Sequence, residues 1–145
     1  MSLDGDYDPD NIFAKIVRGE APAAKVYEDH DTLAFMDVFP QGRGHVLVVH
    51  KRAHARNLMD VDPHDLHAVI DTVQRLTLAV RAALKPDGVF VAQFNGAAAG
   101  QSVFHLHFHV IPRWEGVPLG RHGVGGMADI GELTKLAEQI SREIA

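Results

Sequence analysis

Histidines stand at alternate positions in the run His105-Leu106-His107-Phe108-His109-Val110-Ile111. A neutral imidazole is both nucleophile and proton carrier near neutral pH, with an unperturbed pKa around 6.5. Such a ring can attack phosphorus and form a covalent intermediate, which splits one hard displacement into two easier ones. Flanking rings can donate to phosphate oxygens or to a leaving group. A metal reading stands beside this one, because a His-x-His pair on a strand also suits zinc or iron. The residues beside the triad are apolar and supply no carboxylate to such a site.

Strict alternation with Leu106, Phe108 and Val110 is the pattern of a half-buried strand. The three rings then share a face, each roughly 6.5 Å from the next. Burying them for packing alone is costly, since each ring has two nitrogens that need partners. Clustered titratable groups of this kind mark a site.

Around the triad stand other candidates. Asn95 to Ser102 is a small-residue loop feeding the histidine strand, and its successive backbone N–H groups can converge on an anion. Gln101 adds an amide and Ser102 a hydroxyl. The Gly-Lys-Ser/Thr ending of a P-loop is missing. His54 follows an apolar strand and could reach the same site, although a surface loop histidine is its simpler reading. Asp37 ends another apolar strand, where a carboxylate can accept both hydroxyls of a ribose; a turn aspartate ahead of Pro40 is the plain alternative. His30, His64, His67 and His122 lie in polar contexts and read as solvated, and His45 has no assigned role.

The elements that must position these residues follow from pattern. Asp10 is expected to cap a short helix over 11–18. Two short strands, Lys25 to Glu28 and Thr32 to Val38, flank a polar turn. His45 to Val49 reads as a strand buried on both faces. Asp62-Pro63 opens a long helix to about Leu84, with an apolar stripe through Leu66, Val69, Val73, Leu76 and Val80. Val89 to Phe94 is the strand before the small-residue loop. Residues 115–128 hold five glycines and read as a mobile loop. A last helix is expected near Ile130 to Ile144. Runs of strands with one long helix between them point to an α+β fold with a mainly antiparallel sheet and short terminal helices.

The 145 residues suit a single domain over 10–145, preceded by an acidic, polar and disordered lead-in at 1–9. No apolar run is long enough for a membrane span. The net charge of −5 argues against broad nucleic-acid binding but not against one nucleotide in a local pocket. The absence of cysteine rules out disulfides and thiolate metal sites and fits a cytoplasmic protein.

Taken together, the triad with Gly100-Gln101-Ser102 ahead of it and Pro112-Arg113 behind it resembles the histidine triad (HIT) family of nucleotide hydrolases and transferases. Ile12-Phe13, Phe35-Met36-Asp37, Gly44-His45-Val46-Leu47-Val48, Lys51-Arg52-Ala53-His54 and Asn95-Gly96 belong to the same likeness, which covers roughly residues 10–114. The resemblance implies a homodimer with a continuous sheet, acting on a purine nucleotide or nucleoside-phosphoryl substrate without a cofactor. It implies His107 as nucleophile on an α-phosphate, supported by His105. His109, Ser102 and His54 would contact phosphate, Gln101 the leaving-group side, Asp37 the ribose, and Asn95 the phosphate or ribose side. Ile12, Phe13, Phe35 and Val38 would wall the base. Many relatives carry two helix cysteines that bind zinc with the counterparts of His54 and His105. Asn11 and Ala14 stand in their place, so no metal site is expected there. His50 stands where relatives often have proline.

Overall fold

The computed structural model describes residues 3–121 and 126–144. Its strands are β1 Lys25–Glu28, β2 Thr32–Met36, β3 Val46–His50, β4 Gly88–Ala92 and β5 His107–Arg113. They form one sheet in the order β1-β2-β3-β5-β4, with every neighbouring pair antiparallel. The helices are α1 Ile12–Val17, α2 Pro63–Leu84 and α3 Ile130–Ser141. This is the α+β architecture that the pattern of elements predicts.

Period-2 alternation sorts the sheet into two apolar layers. Ala34, Met36, Val48, Phe108 and Val110 pack with Val69, Leu76 and Val80 of α2 and with Leu133 and Ile140 of α3. Leu33, Phe35, Leu47 and Val49 pack with Phe13 and Ile16 of α1 on the other face. Strand β3 is buried throughout, as a central strand covered on both sides must be. A buried hydroxyl pair, Thr32 and Thr72 at 2.6 Å, joins the sheet to α2.

Local chemistry sets the ends of the elements. Asp62 caps α2 by accepting from the His64 N–H, and Pro63 takes the first turn. Lys85 closes that helix in the left-handed region just before Pro86. At α1 the cap is Asn11, whose side chain accepts from the Ala14 N–H, and not Asp10 as the sequence suggests. Helix α3 stops at Ser141, short of the expected Ile144. Strand β5 begins at His107, two residues later than the histidine alternation implies. Val49 pairs with His107, so β3 has ended where His105 would need a partner. The chain instead turns aside, and Leu106 donates to the carbonyl of Ala55.

The segment ahead of α1 also departs from expectation. Composition marks 1–9 as disordered, but the part described, from Leu3 onward, lies against the body of the protein. Asn57 donates to the Leu3 carbonyl at 3.0 Å, Arg56 to that of Asp6 at 3.2 Å, and Arg18 to that of Pro9 at 2.6 Å. Backbone acceptors supply these anchors, and hydropathy does not reveal them. His122 lies outside the described residues.

Gly44 admits the close approach of α2 to β5. Its φ is +84°, and a Cβ there would sit 2.5 Å from Leu84 Cδ1 and 2.9 Å from Pro112 Cγ. Left-handed strain and overpacking would add for Gly44→Ala, and we expect a loss of about 2 kcal/mol or more. Urea unfolding measures it; a midpoint unchanged from wild type would contradict the packing described.

Candidate functional site

The same alternation that sends Phe108 and Val110 into the α2 layer turns His107 and His109 to the α1 face. There they lie opposite Val49 and Leu47 in register. Their rings are 5.0 Å apart, and the Phe13 ring meets His107 edge-on at 4.9 Å. They line a cavity of about 280 Å³ with Asp37, Ser102, Leu47, Val103 and Phe94. This is at the small end of ligand pockets and carries the usual mix of apolar walls and few polar groups. Gly100, φ +105°, ends the short 3-10 turn Ala97–Ala99 and brings the chain to the cavity with Ser102. Only glycine takes that backbone conformation readily.

The hydrogen bonds assign opposite roles to the two rings. His107 Nδ1 lies 2.6 Å from the carbonyl oxygen of His105. A carbonyl only accepts, so Nδ1 carries the proton and the neutral ring has its lone pair on Nε2. On the other side the Gln41 N–H donates to His45 Nδ1 at 3.0 Å. A neutral His45 then has its proton on Nε2, which lies 2.9 Å from His109 Nδ1. His109 accepts there and keeps its own proton on Nε2. One ring offers a lone pair and its neighbour a proton, which is the pairing that nucleophilic displacement needs. His45, fully buried, is the residue that sequence reasoning passed over. Its partner is 64 positions away, and only the β3–β5 pairing brings the two together.

Asp37 is buried beside this chain. Its Oδ1 accepts from the Phe39 N–H at 2.8 Å, and its Oδ2 is 3.5 Å from His45 Nε2. Asp37, His45 and His109 offer ligand atoms within 4.8 Å of one another and could hold a metal ion.

Several expected site residues lie elsewhere. The His105 ring faces away from the cavity, and this residue reaches His107 through its carbonyl. Its ring and His54 line a separate cavity of about 230 Å³ with Tyr7 and Arg18. Gln101 is buried with its amide spent on the chain: Oε1 accepts from Gly96 N–H, and Nε2 donates to the carbonyls of Arg56 and Val103. Asn95 Oδ1 accepts from Leu58 N–H and Gln93. Phe35 is buried behind Phe13, Val38 packs with the α2 layer, and Ile12 is exposed. Arg121 and Gly120, not singled out by sequence, line the cavity, where the Gly120 N–H donates to the Gln41 carbonyl and the Gln41 side-chain amide donates to the Gly120 carbonyl.

The family model described as the HIT domain matches residues 18–116. An uncharacterized HIT-like protein of Methanocaldococcus jannaschii is 45% identical over 105 residues, covering 72% of this chain and 80% of that one. A protein of Arabidopsis thaliana named adenylylsulfatase HINT3 is 37% identical over 121 residues, covering 79% of this chain and 61% of that one. The crystal structure of a Hit-like protein from Bartonella henselae superposes with a TM-score of 0.88 at 46% identity, covering 95% of this chain and 99% of that one.

Burial of His105 makes a testable mark on stability. Desolvation, with the neighbouring His107, holds its pKa down to about 4, while a backbone hydrogen bond with His50 works the other way. Unfolding restores a value near 6.5. Between those values the unfolded chain binds a proton that the native one refuses, so stability falls as pH falls. The slope from this ring is up to about 1.4 kcal/mol per pH unit. Denaturant titrations from pH 7 to pH 4 should show a shallower slope in His105→Gln; an identical slope would contradict the assignment.

Proposed function

The chain belongs to the HIT family, and on that footing we propose that it cleaves a nucleoside monophosphate from a leaving group through a nucleotidyl-His107 intermediate. The observation that carries the reading is the pair of hydrogen bonds that orient the two rings oppositely, His107 Nδ1 to the His105 carbonyl and His109 Nδ1 to His45 Nε2. His107 Nε2 attacks the α-phosphorus, forming a P–N bond as the bond to the leaving group breaks. The His109 Nε2–H donates a hydrogen bond to the departing atom, which takes any proton it needs from solvent. Water then attacks the same phosphorus and loses a proton to solvent, and the P–N bond breaks to release the monophosphate and restore His107. Asp37 holds the ribose hydroxyls. Phe13, Leu47 and Val103 give the base an apolar slot that suits a purine. Ser102 and the backbone around Gly100 meet the phosphate charge. His45 holds His109 in its donor form. The Arabidopsis relative named adenylylsulfatase supports an adenylyl substrate with an anionic leaving group.

A substrate panel of adenosine phosphoramidate, acyl-adenylate, adenylyl sulfate and dinucleoside polyphosphate, read by mass spectrometry, tests this. A protein adduct of one nucleoside monophosphate should form and vanish in His107→Ala. Turnover in that variant above about a tenth of wild type would sink the covalent mechanism. The chemistry proposed draws on no metal. Activity that dies with a chelator and returns with zinc would favour a metal held by Asp37, His45 and His109.

We also propose a homodimer. Strand β4 is the sheet edge, with Phe90 40% and Val91 42% exposed, and α2 leaves Leu78 61% exposed. An uncovered apolar edge of this kind pairs readily with another strand. Sedimentation at micromolar concentration should give twice the 15.9 kDa of the chain; monomer alone would remove the claim.

A further inference from the structure

We propose that Tyr7, ahead of α1, is a positioning residue for His107, acting through the His105 peptide. The inference rests on the reading of His107 as nucleophile. Tyr7 lies outside residues 18–116, the span of the HIT domain match.

The geometry runs in one line from the leading segment to the nucleophile. The Tyr7 ring is stacked on His54, with centroids 4.8 Å apart and planes 9° from parallel. Its hydroxyl is 2.9 Å from His105 Nδ1. The two atoms share one hydrogen bond, which ties the His105 side chain to the leading segment. The His105 carbonyl, 2.6 Å from His107 Nδ1, fixes the proton that keeps the nucleophilic lone pair on Nε2.

This placement matters because His105 stands outside the sheet. Strand β5 begins at His107, so no ladder pairing fixes the peptide that orients the nucleophile. The Leu106 N–H bonded to Ala55 holds one end of the turn, and Tyr7 holds the side chain. Anchoring the leading segment is not the task of Tyr7. Asn57, Arg56 and Arg18 already tie down the carbonyls of Leu3, Asp6 and Pro9. The cavity around Tyr7 contains neither His107 nor Asp37, so Tyr7 acts without touching substrate.

Tyr7→Phe keeps the stack on His54 and removes only the hydroxyl. Tyr7→Ala removes both. We expect kcat to fall about 3- to 10-fold in Tyr7→Phe, the worth of one hydrogen bond, and further in Tyr7→Ala, with KM within twofold of wild type. The independent readout is the ¹⁵N spectrum of His107. Wild type should show the Nδ1–H tautomer, and both variants should shift toward a mixture of tautomers. Wild-type kcat and an unchanged His107 spectrum in Tyr7→Phe would overturn the proposal, as would a KM change without a kcat change. If Tyr7→Ala does not fold, Tyr7→Phe decides alone. Should no α-phosphate substrate be turned over, the functional reading fails, and the tautomer spectra still decide whether Tyr7 positions His107.

Discussion

The structure turns on strand β5, which must serve two environments at once. It runs between β3 and β4, pairing with β3 over His107–Val110 and with β4 over His109–Arg113. Side chains therefore have only two directions, and they alternate. Leu106, Phe108 and Val110 join the layer beneath α2, while His107 and His109 project to the face that α1 only partly covers. Loss of register by one residue would bury imidazoles in the apolar layer and expose Phe108 in their place. The apolar half of the alternation thus holds the polar half in position.

Given that rigid placement, hydrogen bonds rather than charges decide what each ring can do. A main-chain carbonyl sets the proton of His107, and a main-chain N–H, relayed through His45, sets that of His109. Both determinants start at the backbone, which cannot retitrate, and the second passes through His45, whose Nε2 also lies 3.5 Å from Asp37 Oδ2. Gln101 contributes in the same indirect way. Its amide ties the Gly96 turn to the Arg56 loop, and Ser102 is held at the cavity as a result.

Much of this was legible in the residue pattern, and the exceptions have physical causes. The alternation of His107 and His109 with Phe108 and Val110, the Asp62-Pro63 helix start and the doubly buried β3 are local signals, and each is found; His105 lies ahead of β5 and does not share the face. Val38 was readable too, since alternation after Phe35 and Asp37 sends it to the opposite face; grouping it with them ignored the period. Ile12 and Phe13 likewise point in different directions from a helix, so only one can face the cavity. His45 was not legible, because a strand-opening histidine has no meaning until its partner is known. Tyr7 was hidden by its acidic surroundings, where composition masks a side chain held by one hydroxyl and one stack. The backbone partners of Gln101 and Asn95 are not legible, because an amide in a loop reads the same whether it faces substrate or backbone.

The two faces of the sheet are covered by helices of very different length. Helix α2 has 22 residues and shares its layer with α3, whereas α1 has six, too few to persist without its packing partners. Resistance to amide hydrogen exchange should therefore be concentrated on the α2 side, with the α1 side opening locally at lower cost. That division separates the part of the molecule that keeps it folded from the part that lines the cavity. Exposed positions of α1, such as Ile12, can vary without touching the layer beneath α2. A small domain built this way has one wall for evolution to rework and another that it must leave alone.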